Sequence, residues 1–384
     1  MMSEIISGKN QLRFKASSLR AYTMLGALIL IWLYFHWATG SVFLTPRNLS
    51  NLSLQTAVTG ILAVGMLLVI VAGQIDLSVG SLLGLTGGVT AILSTNYNYG
   101  LLPSILAAIV VGIVVGLLQG TLVAYLNIPA FIVTLGGLLA WRGAVKGITQ
   151  GNTIPISDAN FDQIGQSYID PSIGWILAGI AVLLTFFAAY RRYTNQRSVG
   201  IAETSLGGEM LKAIVPAAAI VLFIFVMNSY AGVPVPVLIL LAIALGGTFL
   251  TNRTTFGRYL YAIGGNREAA RLSGINVETN VLKVFALMGF LTVVAALIFT
   301  SRNGSATPDA GTLKELDAIA ACVIGGASLM GGRGTIFGAC LGALIMASLD
   351  NGMSLLNIRD FMQEIVKGSI LVLAVGLDMV GRKQ

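Results

Sequence analysis

The sequence predicts an all-α polytopic integral membrane protein, a bundle of about twelve transmembrane helices with both termini cytoplasmic, and three observations carry that prediction. Of the 384 residues, 55% are hydrophobic and 10% charged, and the mean hydropathy is +0.84, far too apolar for a water-soluble chain of this size. The apolar residues gather into runs near the ~20 residues that cross a bilayer as a helix. The basic residues fall between those runs, on alternate sides. The formal net charge of +7 therefore reads as an orientation signal, and no basic soluble module stands apart to suggest a nucleic-acid partner.

Taken in order, the runs predict crossings at about 21–39, 51–72, 77–94, 102–126, 128–148, 173–190, 213–230, 235–251, 283–300, 317–330, 335–349 and 362–380. The first follows Lys9, Arg13, Lys15 and Arg20 and looks like a signal peptide, but it is longer than the ~7–15 residues of a signal h-region and no convincing A-x-A site follows. It is expected to be a retained span after a cytoplasmic tail, 1–20, with one transmembrane domain over 21–384. His36 and Trp37 at its far end suit an interfacial aromatic belt. A cytoplasmic N-terminus puts inside the four tail residues, Arg191, Arg192, Arg197, Lys212, the five basic residues of 252–283, Arg333, Arg382 and Lys383, sixteen of the 23 Lys and Arg. No other parity does nearly as well. Cys322 and Cys340 both lie within apolar runs, as packing residues do.

The polar stretch Asn252–Lys283 carries Arg253, Arg258, Arg267, Arg271 and Lys283 and marks a cytoplasmic loop. Asn266 is placed to cap a short helix over Arg267–Ser273, and Gly274 stands where a left-handed stop is wanted. Such a peg is roughly 10 Å long. Ala269, Ala270 and Leu272, with Ile275 beyond, offer it a small apolar contact surface.

Two stretches break the membrane pattern. In GQIDLSVGSLLG, Gly73–Gly84, the acidic Asp76 is costly unless it meets water, a helix N-terminus or a partner; Asp76 or Ser78 capping the third helix is the plainer reading and direct substrate contact the other. In IGGASLMGGRGTIFG, Ile324–Gly338, the segment Gly334–Gly338 echoes Gly80–Gly84, as a weak parallel repeat of glycine-broken helices would. The ladder Gly112, Gly116, Gly120 requires only close helix contact. The GGRG run lacks the Lys-Ser/Thr ending of a phosphate loop, and no such motif occurs elsewhere, so the chain is expected to hydrolyse no nucleotide. No His, Cys or carboxylate cluster suggests catalytic residues or a metal site. Gln55, Asp76, Gln119, Asn127, Thr134 and Asn351 are expected to line a pathway for a neutral polar cargo, since amides and hydroxyls are expensive against lipid; hydrogen bonding between helices explains each equally well. Arg142, Arg302 and Arg359 fall on the expected periplasmic side as docking candidates, and simple solvation is the alternative.

Glu268-Ala269-Ala270 with Gly274 beyond matches the EAA-x-x-x-G signature of bacterial ABC importer permeases, and its setting TTFGRYLYAIGGNREAARLSGINV, Thr254–Val277, resembles the ribose, xylose and arabinose permease family. GQIDLSVGS at Gly73–Ser81, IPAFIVTLG at Ile128–Gly136, ELDAIAACVIGGASLMGGRGTIFGACLGALIM at Glu315–Met346 and NGMSLL at Asn351–Leu356 agree with it, so the resemblance covers nearly all of Leu44–Val380. Ribose-type members have about ten crossings; a stretch around Pro171–Pro216, joined by RRYTNQR, adds a helix pair here and is similar to the D-xylose type. The resemblance implies a permease without its own cofactor that forms a homodimeric path and imports a monosaccharide, D-xylose first. It implies a cytoplasmic ABC ATPase that binds ATP and Mg, and a periplasmic sugar-binding protein. It implies ATPase coupling through Gly257, Arg258, Asn266, Glu268, Ala269, Ala270 and Gly274. The related branched-chain amino-acid permeases share the plan, but the GRYLYAIGGN and IGGASLMGGRGT wording resembles the sugar branch. An ion-coupled secondary transporter using Asp76 is the remaining alternative, and it would leave the EAA-type loop without a purpose.

Overall fold

The computed structural model describes residues 23–156, 158–198 and 205–380; the tail 1–20 and the basic pair Arg382 and Lys383 lie outside them. The helices run α1 Thr23–Ala38, α2 Pro46–Val71, α3 Val79–Ala91 continued by a π turn to Asn96, α4 Leu101–Ala124 and α5 Ala130–Thr149. A short α6, Ala159–Gln166, precedes α7 Pro171–Ser198, α8 Leu206–Asn228 and α9 Val235–Arg253. Then come α10 Thr255–Gly265, α11 Arg267–Leu272, α12 Val277–Asn303, α13 Lys314–Ile324, α14 Ile336–Leu355 and α15 Asp360–Val380. A helix therefore stands at each of the twelve runs. Among the described residues eight are long and apolar enough to cross a membrane: α2, α4, α5, α7, α8, α9, α12 and α14. α1 and α3 are short, α13 has 11 residues, and α15 carries Asp360, Glu364 and Lys367.

Local chemistry sets the helix ends. Thr45, Ser205, Thr254, Asn266, Asn276 and Thr335 each accept a backbone N–H of the helix they precede, satisfying donors the first turn leaves orphaned. Asp170 does the same for α7, accepting from the Ser172 amide at 2.8 Å and from its hydroxyl, and these bonds hold its carboxyl below the usual carboxylate range. In a bilayer these helices close their own backbone bonds.

Burial sorts them into two layers. The apolar window of α2 is 94% buried, against 17–28% for α4, α5, α7, α8 and α9. The core is therefore α2 with α12 and α14 around it, and the outer helices keep an apolar face, as lipid contact requires. The glycine ladder of α4 lies on α12: a methyl at Gly112 would meet the Gly289 carbonyl, and one at Gly120 would meet Leu282. α7 and α8 pack chiefly on each other as a hairpin, tied by Asn228 Nδ2 to the Pro171 carbonyl at 3.0 Å, so the added helix pair sits at the periphery. Two-residue antiparallel bridges, Ile154–Pro155 with Ser305–Ala306 and Tyr168–Ile169 with Val233–Pro234, tie the connecting segments at one end of the bundle.

Candidate functional site

The site is built at the opposite end, where α9, α10, α11 and α12 turn. Gly257 makes the sharp α9–α10 bend possible, because a side chain there would overlap the backbone of Leu250 and Thr251. Leu260 and Ile263 anchor α10 in the core. The peg forms as the spacing predicts: Asn266 Oδ1 accepts the Ala269 N–H at 2.9 Å, α11 runs from Arg267 to Leu272, and Gly274 closes it at φ +79°. Its faces differ from the expectation in one respect. Ala270 is buried and Ile275 packs on the core, so both hold the peg to the bundle. Arg258, Glu268, Ala269 and Leu272 are exposed, Leu272 to 81%, and Arg271 pairs with Glu278 across the turn into α12.

α10 joins this peg to both glycine-broken stretches. Gly264 lies so close to the end of α2 that a methyl on it would overlap the Val71 carbonyl and stand 2.6 Å from the Gly332 nitrogen. The Gly332 N–H donates to that Val71 carbonyl at 2.9 Å, and a methyl at Gly331 would be 2.7 Å from the Gly264 oxygen and 3.0 Å from the Gly73 Cα. Tyr261 Oη donates to the Gly334 carbonyl at 2.7 Å. Gly73, Gly331 and Gly332 all have φ between +70° and +88°, which glycine adopts at no steric cost. Backbone thus meets backbone with no side chain between, and such a contact transmits displacement stiffly. Tyr261, Gly264, Gly331 and Gly332 are absent from the sequence-based candidates; YAIGG at the end of α10 and MGGRG in the loop after α13 are glycine pairs in separate stretches, and only the fold joins them.

Three of the six pathway candidates come together. Asp76 accepts from the Ser78 amide at 2.8 Å and its hydroxyl at 2.7 Å; Gln119 Nε2 donates to the Ser78 hydroxyl at 2.8 Å, and Thr134 Oγ1, which donates to the Ala130 carbonyl of its own helix at 2.8 Å, lies 3.3 Å from the Ile75 carbonyl. Ser78 occupies the N-cap position of α3 but makes no side-chain cap bond. The other three lie apart. Asn127 is an exposed left-handed turn residue after α4, Asn351 accepts from Asn48 Nδ2 at 2.8 Å near the far end of α14, and Gln55 lies part-way along α2.

Of the docking candidates, Arg142 is half-buried and donates to the carbonyls of Pro308 and Ala310 at 3.1 and 2.7 Å, holding the loop before α13. Arg302 is also half-buried and donates to Asn51 Oδ1 at 2.8 Å. Arg359 is exposed at the α14–α15 turn. Lys314, which the topology puts in a water-facing segment, is instead half-buried in an ion quartet: it meets Asp317 at 2.7 Å and Asp350 at 3.7 Å, and Lys367 meets Asp317 at 3.2 Å and Asp350 at 2.7 Å. The quartet ties α13, α14 and α15 together.

An apolar helical bundle with an exposed, capped knuckle seated by glycine contacts on its core helix defines a multi-pass membrane protein, and the family match makes it a permease. The chain belongs to the family described as branched-chain amino acid transport system / permease component, whose model matches residues 48–375. It is 48% identical over 374 residues to the xylose transport system permease protein XylH of Escherichia coli, covering 96% of this chain and 94% of that one. It is 46% identical over 373 residues to the XylH of Haemophilus influenzae, 97% and 99% covered. Identity to the ribose import permease protein RbsC of E. coli is 35% over 378 residues, 98% and 99% covered. No solved structure matches the chain. The chain is a multi-pass permease of the bacterial inner membrane.

Proposed function

We propose that this chain is the membrane-spanning subunit of a binding-protein-dependent ABC importer moving a monosaccharide, D-xylose first, driven by ATP hydrolysed on a separate subunit. The observation that carries this reading is the 48% identity to a xylose permease across 96% of the chain. Two copies form the path, a cytoplasmic ABC ATPase holding ATP and Mg docks on α11, and a periplasmic binding protein delivers the sugar. The domain runs over 21–384 with twelve crossings and both termini inside: the eight long helices are joined by α1, α3, α13 and α15, and the loops before α3 and α13 enter the membrane where protein buries them.

Gly257, Arg258, Asn266, Glu268, Ala269, Ala270 and Gly274 form the coupling element. Nucleotide-driven movement of the ATPase can favour one facing of the path only through an element with different contacts in each state, and the α10–α11 unit supports that role by gripping α2 and the loop between α13 and α14. Gln55, Asp76, Gln119, Asn127, Thr134 and Asn351 remain the candidate pathway groups, and Arg359 is the exposed one of the three docking arginines.

Reconstitution with the ATPase and binding protein, followed by uptake of labelled xylose, ribose, arabinose and galactose, tests the reading. ATP-dependent xylose accumulation is expected. Accumulation by vesicles holding this chain alone under an ion gradient would replace the reading with a secondary transporter.

A further inference from the structure

At the end of α2 farthest from the coupling peg, a cavity of about 560 Å³ opens between the first turns of α2, the Tyr168 bridge, the α8–α9 turn and the end of α14. Asn51 stands 20 residues from Val71 along α2, about 30 Å at 1.5 Å per residue, which is one hydrocarbon thickness. The cavity and the peg therefore sit on opposite sides of the membrane.

Its wall has a defined donor and acceptor pattern. Asn48 spends both amide hydrogens on the Phe43 carbonyl and Asn351, each at 2.8 Å, which leaves its carbonyl oxygen as the acceptor. Asn51 has the reverse: Arg302 occupies its oxygen at 2.8 Å, which leaves its amide hydrogens as donors. Arg47 adds a guanidinium at the rim, and Tyr168 and Tyr230, edge to face with ring centroids 6.1 Å apart, supply aromatic surface and two hydroxyls. Among the described residues no carboxylate lines the cavity.

The geometry points to a low-affinity monosaccharide site here, a vestibule that holds a sugar on the delivery side of each protomer. Sugar hydroxyls both donate and accept, so they satisfy the Asn48 oxygen and the Asn51 amide together, while a C–H face lies on the tyrosine rings. A carboxylate accepts from Arg47 and the Asn51 amide but leaves the Asn48 oxygen without a donor and the rings without a C–H face, and a cation meets Arg47. The inference rests on the transport reading and names where its substrate first meets this chain.

The test is saturation-transfer NMR with xylose on the purified full-length permease in nanodiscs, checked for folding by gel filtration and circular dichroism. Saturable binding is expected, weakened about tenfold or more by Tyr230→Ala, which truncates an exposed side chain, and by Arg47→Gln, with the lipid-facing Phe187→Leu unchanged. The site is overturned if no pentose or hexose saturates, if both pocket variants bind as the parent does, or if glutamate displaces xylose while ribose and arabinose do not. Uptake by the complete transporter separates the two readings: uptake without binding removes the vestibule and keeps the importer, and absent uptake of every sugar removes the importer itself.

Discussion

Gly264 and Gly274 do different work, and the difference is testable. Gly274 sits at φ +79° with nothing within 4 Å of the place its side chain would take, so its constraint is conformational; Gly274→Val should cost roughly 1–2 kcal/mol locally and unwind the peg. Gly264 is constrained by contact, because any side chain displaces the Val71 carbonyl. Gly264→Val is therefore expected to separate ATP hydrolysis from uptake: ATPase bound, hydrolysis retained, xylose accumulation lost. Retained accumulation would show that the seam transmits nothing. Tyr261→Phe removes one hydrogen bond to Gly334, about 1 kcal/mol, and should lower the melting temperature slightly while reducing uptake more than ATPase binding. The cap at Asn266 and the stop at Gly274 were legible in the sequence because both act on their own neighbours. Gly264 was not, because its partners are 193 and 68 residues away, at Val71 and Gly332.

At the scale of elements, the eight long helices could be read in order because lipid forces a spanning helix to be both apolar and long. Their grouping could not. α13 has 11 residues, too short to span, and the ion quartet holds it to α14 and α15. Removing one partner of a buried ion pair leaves an uncompensated charge and costs about 3 kcal/mol or more. Lys367→Met should therefore lower thermal stability in detergent by several degrees, and the double variant Lys367→Met with Asp350→Leu should recover part of the loss. A double variant as weak as the sum of its parts would deny the coupling. The sequence shows Asp317 and Lys367 as isolated charges inside two runs, Asp350 just past a third and Lys314 as a water-facing one, since charge pairing across helices leaves no local pattern.

For the whole molecule, the topology and the two candidate sites make one joint prediction. In a background without Cys340, Leu272→Cys should react with a membrane-impermeant thiol reagent only from the cytoplasmic side, and Asn357→Cys only from the other. Labelling of both from one side would overturn the parity and the placement of the vestibule. Fully buried Cys322, whose thiol donates to the Ala63 carbonyl at 3.2 Å, should stay silent until the protein unfolds.

What the sequence by itself determined is what local physics dictates: an apolar helical chain, the order of its runs, the bias of its basic loops and the capped peg at 266–274. What only the tertiary structure decided is which distant groups share a place. It seated α10 on the end of α2 and the loop between α13 and α14, tied Arg142 and Lys314 into internal bonds, and set Asn51 and Tyr230 around one cavity. The reason is that hydropathy and capping are sums over neighbouring residues, whereas a backbone contact between glycines or an ion pair between helices depends on packing that no stretch of chain encodes alone.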